Sequence, residues 1–254
     1  MRETMKEQNK AKPVIAIENL SKSFGTMPVL NDFSLNLFPE ENLVVLGKSG
    51  SGKSVLIKLI VGLLEADKGS IRVFDQDVTK LKREGLDLLR QKIGFLFQSA
   101  ALYDSMSVRQ NMVFPLSRIR KELSEKQMTD KIMEVLESVG LADAVDKMPS
   151  ELSGGMRKRI GLARTIVVDP IIMLYDEPTT GLDPSTSGEI SELILAVQKK
   201  YKTASIIITH DIACARVVAN RVLMIQDGKV YKEGLLKDFE NSEDEIIGSF
   251  FKSI

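Results

Sequence analysis

The stretch "GKSGSGKS", residues 47–54, is the most specific pattern in this chain. It fits G-x-x-x-x-G-K-[ST], in which glycines let the backbone wrap closely around phosphate groups. The short apolar run "NLVVL" (42–46) precedes it, and the helical segment "SVLIKLIVGLL" (54–64) begins within it. A buried strand, a glycine-rich turn and a helix in this order are the context that confirms a phosphate-binding loop, or P-loop. We therefore prefer this interpretation to a glycine and serine turn that matches the pattern by chance.

The positions of this loop have separate expected roles. Lys53 is expected to pair with the β- and γ-phosphates of a nucleotide, and the Ser54 hydroxyl to ligate Mg²⁺. The rest of the loop is expected to surround the phosphates, and it consists of Gly47, Lys48, Ser49, Gly50, Ser51 and Gly52.

Two carboxylates follow a second apolar strand in "IIMLYDEP" (171–178). Asp176 is expected to hold Mg²⁺ through water, as the corresponding Asp of P-loop nucleotide hydrolases does. Glu177 is placed to polarise the water that attacks the γ-phosphate. Alone, "DEP" is more typical of a simple strand end, but the P-loop in the same chain favours the functional interpretation.

Two further polar residues follow apolar strands. His210, the only histidine, comes after "SIIIT" (205–209), and Gln98 after "IGFLF" (93–97). Open α/β sheets bind ligands at the carboxyl ends of their strands. His210 could therefore contact the γ-phosphate and hold the water in line, although a lone histidine is usually structural or at the surface. Gln98 could sense Mg²⁺ or the water, or be an ordinary solvated loop amide.

Composition limits the class of protein. The 254 residues include 35 Lys plus Arg and 35 Asp plus Glu, so the net charge is zero. This weighs against a nucleic-acid binder, which usually carries a basic excess. One Cys and one His exclude a Cys/His metal cluster. We see no signal peptide and no run of about 18 apolar residues. A cytosolic, soluble protein is the default expectation.

Strands and helices alternate along the chain, with a block of helices in the middle. We predict a flexible tail over 1–12 and a single domain over 13–254. Within it, residues 13–98 and 169–240 form the nucleotide-binding core, 99–168 a helical subdomain and 241–254 a C-terminal helix. This alternation favours one α/β core with a helical insertion.

The segment "LSGGMRKR" (152–159) raises a question about charge. Arg157, Lys158 and Arg159 lie in the first turn of a predicted helix, where positive charge opposes the helix dipole. A glycine-rich helix start can hold an anion, which offers one explanation. A solvated or partner-facing patch is the alternative for Lys158 and Arg159.

The order of these motifs resembles that of the nucleotide-binding subunit of an ABC transporter. The P-loop, Gln98, "LSGGM", "YDEP", "GLDP" (181–184) and His210 follow one another over residues 14 to about 235. The resemblance implies an α/β P-loop NTPase fold of the RecA-like type, with a mixed sheet core, an N-terminal antiparallel β subdomain and a helical insertion subdomain. It also implies hydrolysis of ATP with Mg²⁺, in a site whose metal contacts include Ser54, Gln98 and Asp176.

The same resemblance implies further nucleotide contacts. Phe24, which would otherwise be taken for a core residue, is expected to stack on the adenine. Ser153, Gly154 and Gly155 are expected to close over the ATP held by a second copy of the chain, and Asp183 to reach across to that copy. A monomer then cannot form a complete site, so we expect a homodimer.

Details of the motifs are similar to the Mla-type (maintenance of lipid asymmetry) branch. "FQSAALYDSMSV" is combined with "LSGGM", in which Met156 replaces the Gln that most family members carry. This implies phospholipid transport through a membrane permease, an MCE-domain lipid-binding partner, and peripheral association with the cytoplasmic face of the inner (plasma) membrane. The alternatives are transport of another substrate, a soluble ABC ATPase of DNA repair or translation, and a cassette that binds ATP without turnover. Intact Glu177 and His210 argue against the last.

Two surfaces are candidates for partner contacts. Ala100, Ala101, Leu102 and Tyr103 suit a docked permease helix, or belong to the core of the subdomain. The apolar face of "DEIIGSFFKSI" (244–254) could cover its own domain, the second ATPase subunit or a membrane partner, and we favour its own domain.

Overall fold

The structure of the protein is a computed structural model that describes residues 12–48 and 50–251. Most of the predicted N-terminal tail, residues 1–11, lies outside the described residues, as do Ser49 and residues 252–254.

A four-stranded antiparallel sheet occupies the N-terminal part of the chain, in the order β2-β1-β4-β5. Its strands are β1 (Ile15–Phe24), β2 (Met27–Leu37), β4 (Lys68–Val73) and β5 (Gln76–Asp77). Ile17 pairs with Leu35 on one side and with Ile71 on the other, so the buried side chains of three strands share one face. This is the antiparallel β subdomain that the resemblance implies.

A six-stranded sheet, in the order β10-β9-β3-β8-β7-β6, forms the centre of the molecule. Its strands are β3 (Asn42–Leu46), β6 (Ile93–Leu96), β7 (Ile172–Asp176), β8 (Ala204–Ile208), β9 (Arg221–Gln226) and β10 (Lys229–Gly234). Five strands run parallel, and β10 returns antiparallel to β9. The predicted mixed sheet is therefore present.

Nine α-helices accompany the sheets in the part of the chain that the structure describes. They are α1 (Lys53–Ile60), α2 (Arg83–Arg90), α3 (Val108–Ile119), α4 (Glu125–Ser138), α5 (Gly154–Ile166), α6 (Pro184–Tyr201), α7 (Ile212–Val218), α8 (Leu236–Glu240) and α9 (Glu245–Phe251). Between β6 and β7, α3, α4 and α5 form the helical insertion. The exact domain boundaries given above stay a prediction.

Both faces of the central sheet are covered, which explains why β3 is apolar throughout. Val44 and Leu46 belong to the core on the side of the helical insertion, whereas Leu43 and Val45 belong to the core beneath the antiparallel sheet. Strands buried on both faces are typical of parallel sheets with layers on either side. The loops after these strands are therefore anchored on a rigid layer.

A buried ion pair ties the two sheets together. Arg221 donates to the Glu41 carboxylate at 2.7 and 2.9 Å, and also to the Glu233 carboxylate and the Asn36 carbonyl oxygen. The Glu41 side chain is 1% exposed, and these charge-assisted bonds satisfy it. The antiparallel sheet is thereby fixed relative to the central sheet.

The described part of the C-terminal helix packs on its own domain, as we favoured. Ile247 is 1% exposed, and the rings of Phe251 and Phe239 lie 6.2 Å apart. The Tyr231 hydroxyl donates to Asp244 at 2.7 Å just before α9 begins. The apolar side of α9 thus packs on the same hydrophobic core as the apolar residues of the helical insertion.

Among residues 12–48 and 50–251, no helix is long and apolar enough to cross a membrane.

Candidate active site

A cleft lies where neighbouring parallel strands of the central sheet end. The P-loop follows β3, Asp176 ends β7 and Glu177 comes next, and His210 lies two residues beyond β8. Because parallel strands end at the same edge, these three distant parts of the sequence meet there. The cleft has a volume of about 640 Å³ and is lined by Phe24, Met27, Val29, Lys48, Gly50, Gly52, Lys53, Ser54, Val55, Gln98, Asp176, Glu177, Thr180 and His210.

Glycine is required at Gly52 in the P-loop. Its φ of 97° is in a region that other residues rarely adopt, and an added Cβ would lie 2.8 Å from the Val29 carbonyl oxygen. The chain thus turns tightly into α1 directly below the cleft.

Lys53 is 7% exposed, and its Nζ donates to the carbonyl oxygens of Gly47 at 2.7 Å and Lys48 at 3.0 Å. Burial lowers the pKa of Lys53, while the negative charges of Glu177 and Asp176 act in the opposite direction. Ser51 Oγ is buried and has no hydrogen-bond partner among the described residues. A cationic group beside an unsatisfied hydroxyl and a glycine-rich backbone fits a bound phosphate.

Ser54 and Asp176 offer oxygen ligands for a divalent cation. The Ser54 hydroxyl donates to Asp176 Oδ1 at 3.3 Å, although the two residues are 122 positions apart. Burial raises the pKa of Asp176, and the hydrogen bond from Ser54 opposes the shift. One carboxylate, one hydroxyl and substrate phosphate oxygens are the ligand types that Mg²⁺ takes at nucleotide sites. The residues therefore fit the ion, and Gln98 lines the same cleft.

Glu177 is held by several contacts. Its backbone has φ of 50°, which is uncommon for a residue other than glycine, and its N–H donates to the Ile208 carbonyl oxygen at 2.9 Å. Thr180 Oγ1 donates to Glu177 Oε2 at 3.1 Å, and His210 Nδ1 lies 2.8 Å from the same oxygen. An ionised carboxylate only accepts hydrogen bonds, so Nδ1 is the donor and Nε2 of His210 stays available for a ligand.

Phe24 lies at the rim of the cleft rather than in the core. The residue is 46% exposed, and Lys22 Nζ lies 5.6 Å from the centre of its ring. An exposed aromatic ring beside a phosphate-binding loop can stack on a nucleobase. The structure thus places Phe24 in the lining of the cleft, and its stacking on adenine stays a prediction.

The residues expected to reach a second copy do not line this cleft. Ser153 begins α5, and its hydroxyl accepts a hydrogen bond from the Met156 N–H at 3.3 Å. Gly154 follows it, and a Cβ at Gly155 would lie 2.6 Å from Thr186 Cγ2. Asp183 begins α6 and accepts a hydrogen bond from the Thr186 N–H at 3.1 Å. These four residues thus form a second polar edge of the same molecule.

The structure corrects our explanation of the basic helix start for two of its three residues. Lys158 is 5% exposed, and its Nζ donates to the Glu177 carbonyl oxygen at 3.3 Å. Arg159 forms an ion pair with Glu189 of α6. Lys158 therefore belongs neither to an exposed anion site nor to a solvated patch, and Arg159 is engaged within the chain. Arg157 is exposed.

Sequence reasoning missed two residues beside Glu177, namely Thr180 and Lys158. Thr180 lies three residues after Glu177, with no motif to mark its role. For Lys158 a signal existed, because Leu162 and Thr165 lie four and seven positions further along the buried face of α5.

Taken together, the P-loop lysine, the serine and aspartate beside it and the Glu177–His210 pair define a P-loop nucleotide hydrolase. The family model for the ABC transporter matches residues 30–180. The chain therefore belongs to the ABC transporter family, as one of its ATP-binding domains. It binds ATP with Mg²⁺ and hydrolyses it, which confirms the activity and the cofactors expected from the sequence.

Curated relatives extend over most of the chain. Protein TRIGALACTOSYLDIACYLGLYCEROL 3, chloroplastic, of Arabidopsis thaliana is 36% identical, covering 96% of this chain and 74% of its own length. The probable ribonucleotide transport ATP-binding protein mkl of Mycobacterium leprae is 37% identical, with 93% and 68% covered. The methionine import ATP-binding protein MetN of Rhizobium etli is 35% identical, with 97% and 68% covered.

Solved structures confirm the fold class. A dimeric, post-hydrolysis state of the ATP-binding cassette MJ0796 bound to ADP and Pi has a TM-score of 0.79 and 29% identity, covering 87% of this chain and 98% of that one. The cbiO1 structure from Clostridium perfringens, part of the ABC transporter complex cbiONQ, has a TM-score of 0.83 and 28% identity, with 95% and 96% covered.

Proposed function

We propose that this chain is the ATP-hydrolysing motor subunit of an ABC transporter that moves phospholipid, resembling the Mla type. The motor role rests on one observation above all: the cleft brings Lys53, Asp176, Glu177 and His210 together from three strand ends. The proposal of a lipid substrate is more specific than the motor role, and it rests on sequence motifs and on the name of one relative.

In the proposed mechanism the residues of the cleft position and neutralise charge. Lys53 and the P-loop amides hold the β- and γ-phosphates, and Phe24 holds the base. Ser54, Asp176 and Gln98 hold Mg²⁺, which when bound offsets the charge that develops on the phosphates. Glu177 accepts a proton from the attacking water, and His210, fixed through Nδ1, contacts the γ-phosphate through Nε2.

We further propose that two copies of the chain form a dimer with two composite sites. The edge of Ser153, Gly154, Gly155 and Asp183 lies outside its own cleft, so it is free to close over the cleft of a second copy. The similar MJ0796 cassette is dimeric with ADP and Pi bound, which supports such an arrangement. Closure on ATP and reopening after hydrolysis would then supply the motion for transport.

The relatives' names bear on the substrate in different ways. The Arabidopsis relative is named after a glycerolipid, trigalactosyldiacylglycerol, which supports a lipid substrate. The mkl and MetN relatives are named for ribonucleotide transport and methionine import at nearly the same identity. We favour phospholipid because "FQSAAL" and "LSGGM" occur together here, and we include an MCE-domain lipid-binding partner in the proposal.

A groove beside the active site is our proposed contact with the permease, on the cytoplasmic face of the inner membrane. Its volume is about 580 Å³, and its walls include the exposed rings of Phe97 and Tyr103. Ala101 also lines it, whereas Ala100 is 1% exposed and belongs to the core, so Ala101 and Tyr103 are the residues of this segment that we propose for the contact. A groove of this size, with aromatic walls and three lining arginines, Arg90, Arg118 and Arg164, suits an inserted helix.

Purification of the native membrane complex through this subunit tests the substrate. We expect phospholipid to copurify with a permease and an MCE-domain subunit. In vesicles, we expect the complex to move labelled phospholipid only with hydrolysable ATP. Mass spectrometry of the extract and a vesicle transfer assay measure these outcomes. A complex carrying the Glu177→Gln subunit is the control for passive transfer. Transport or ATPase stimulation by methionine or ribonucleotides instead of lipid would refute the lipid proposal and leave the motor role intact.

A substitution in the groove tests the permease contact. Tyr103→Glu removes an exposed aromatic ring from the groove and places a carboxylate beside Arg164, whose guanidinium lies 5.7 Å from the ring centre. Because a docked apolar helix would lose that ring and meet an ion pair, the variant should be lost from the purified membrane complex while the isolated subunit binds MgATP normally. Leu63→Glu is the matched control, because Leu63 is 58% exposed and does not line the groove. Normal recovery of the complex with Tyr103→Glu would exclude the groove as the contact.

A further inference from the structure

Lys158 is a buried cation that the proposed mechanism does not use. It lies on α5, five residues after Ser153, and is 5% exposed. Lysine is rarely buried to this extent without a specific partner. Its partner here is the main chain of Glu177, since Nζ donates to the Glu177 carbonyl oxygen at 3.3 Å.

The main chain of Glu177 needs such a contact. A φ of 50° is unfavourable for glutamate and persists only where neighbouring groups hold it. The Glu177 N–H donates to the Ile208 carbonyl oxygen at 2.9 Å, and the Glu177 carbonyl oxygen accepts from Lys158 Nζ and from the Thr180 N–H, both at 3.3 Å. These contacts fix the peptide units on both sides of Cα and hence the direction of the side chain.

These contacts come from different parts of the fold. Ile208 belongs to the central sheet, whereas Lys158 belongs to the helix that starts at Ser153 and Gly154. Movement of α5 relative to the sheet would thus displace the Lys158 anchor of Glu177 and leave its contacts with Ile208 and Thr180 in place.

We propose that Lys158 is a positioning residue that aligns Glu177 for hydrolysis and makes this alignment depend on the position of α5. This inference rests on the proposed role of Glu177 and on the proposed contact of Ser153 with the second copy's ATP. One helix then carries both the contact to the partner's nucleotide and the anchor of its own catalytic carboxylate. Nucleotide binding in one composite site is thereby sensed at the Glu177 of the other.

The test replaces Lys158 with Met, which keeps the length of the apolar stem and removes the donor and the charge. We expect kcat for ATP to fall roughly 10- to 100-fold, because small misplacements of a catalytic group have effects of this size. The KM for ATP should change little, because Lys158 does not line the cleft. Lys158→Arg keeps a donor and should recover part of kcat. Lys131→Met is the matched control: Lys131 pairs with Asp169 away from the cleft, and its loss should leave kcat unchanged.

A double-mutant comparison separates positioning from a general structural role. Lys158→Met should lower turnover strongly in the wild-type background and cause no further loss in the Glu177→Gln background. Equal losses in both backgrounds, or an unchanged kcat, would overturn the proposal. If Lys158→Met does not fold, Lys158→Leu and Lys158→Arg decide, because Leu has no donor and Arg keeps one. A higher kcat for Arg supports the proposal, and equal values refute it. If Glu177→Gln alone turns over normally, the proposed role of Glu177 fails, a result distinct from failure of Lys158.

Discussion

Glu177→Gln is expected to lower ATP turnover by roughly 10²- to 10⁴-fold, which is the usual contribution of a general base. The substitution keeps the size of the side chain and an oxygen that can accept from Thr180 and His210, but it removes the basic carboxylate. Binding of MgATP should persist because Glu177 is not a phosphate ligand in the proposed mechanism. The variant should therefore accumulate as an ATP-bound dimer, measured by size-exclusion chromatography with MgATP alongside steady-state ATPase activity.

Lys53→Ala is the contrasting variant for this experiment. Lys53 is expected to pair with the phosphates, so its loss should weaken nucleotide binding itself and prevent the ATP-bound dimer. The two variants thus fail differently, one after binding and one before it. Near-normal turnover by Glu177→Gln would remove Glu177 from the role of base.

The sequence predicted the cleft well because its residues occupy positions set by topology. Asp176, Gln98 and His210 each end or follow an apolar strand, and strands of a parallel sheet end at one edge. Their meeting therefore needs no knowledge of side-chain packing. Phe24 differs, because only the resemblance distinguished an exposed aromatic residue from a core residue.

Lys158 shows what the sequence left undecided. Neighbouring residues of a helix point about 100° apart, so at most one or two of Arg157, Lys158 and Arg159 can face the same neighbour. Because all three residues are positively charged, the sequence did not show which of them faces the interior. A buried lysine is rare, so the pattern predicted that all three side chains are exposed. The acceptor, the Glu177 carbonyl oxygen, is a backbone atom that no sequence pattern marks. The pairing follows from the packing of α5 near the end of β7 and is visible only in three dimensions.

The helix ends were also set by local geometry. The predicted helix over residues 54–64 stops at Ile60, and Gly62 adopts φ of 66° directly afterwards. A glycine in this conformation is a common way to end a helix. Beyond it Leu64 packs against the core and Leu63 is exposed, without continuation of the helix, and periodicity alone cannot distinguish this arrangement from a longer helix.

Mixing two inactive variants tests the proposed composite sites. Lys53→Ala should inactivate a homodimer at the P-loop, and Ser153→Arg should inactivate it at the edge that meets the second copy. In a mixed dimer, one composite site combines an intact Lys53 with an intact Ser153, and the other carries both substitutions. Random pairing at equal concentrations leaves about a quarter of all sites intact, since half of the dimers are mixed and each has one such site. We expect ATPase activity to rise on mixing toward that fraction, provided that one intact site turns over alone.

The matched control for Ser153→Arg concerns the second role of Ser153, as the residue that caps the start of α5. Loss of a helix-capping serine destabilises a protein by about 1 kcal/mol wherever it occurs. Ser124 caps α4 and likewise accepts from the N–H three residues on, that of Gln127, at 3.3 Å, and it does not line the cleft. Ser124→Arg should therefore cost similar stability and retain activity. If Ser124→Arg abolishes activity as Ser153→Arg does, the loss of activity reflects the lost helix cap. Full activity of the Ser153→Arg homodimer would exclude the composite site, because an arginine at position 153 leaves no room for the partner's phosphate.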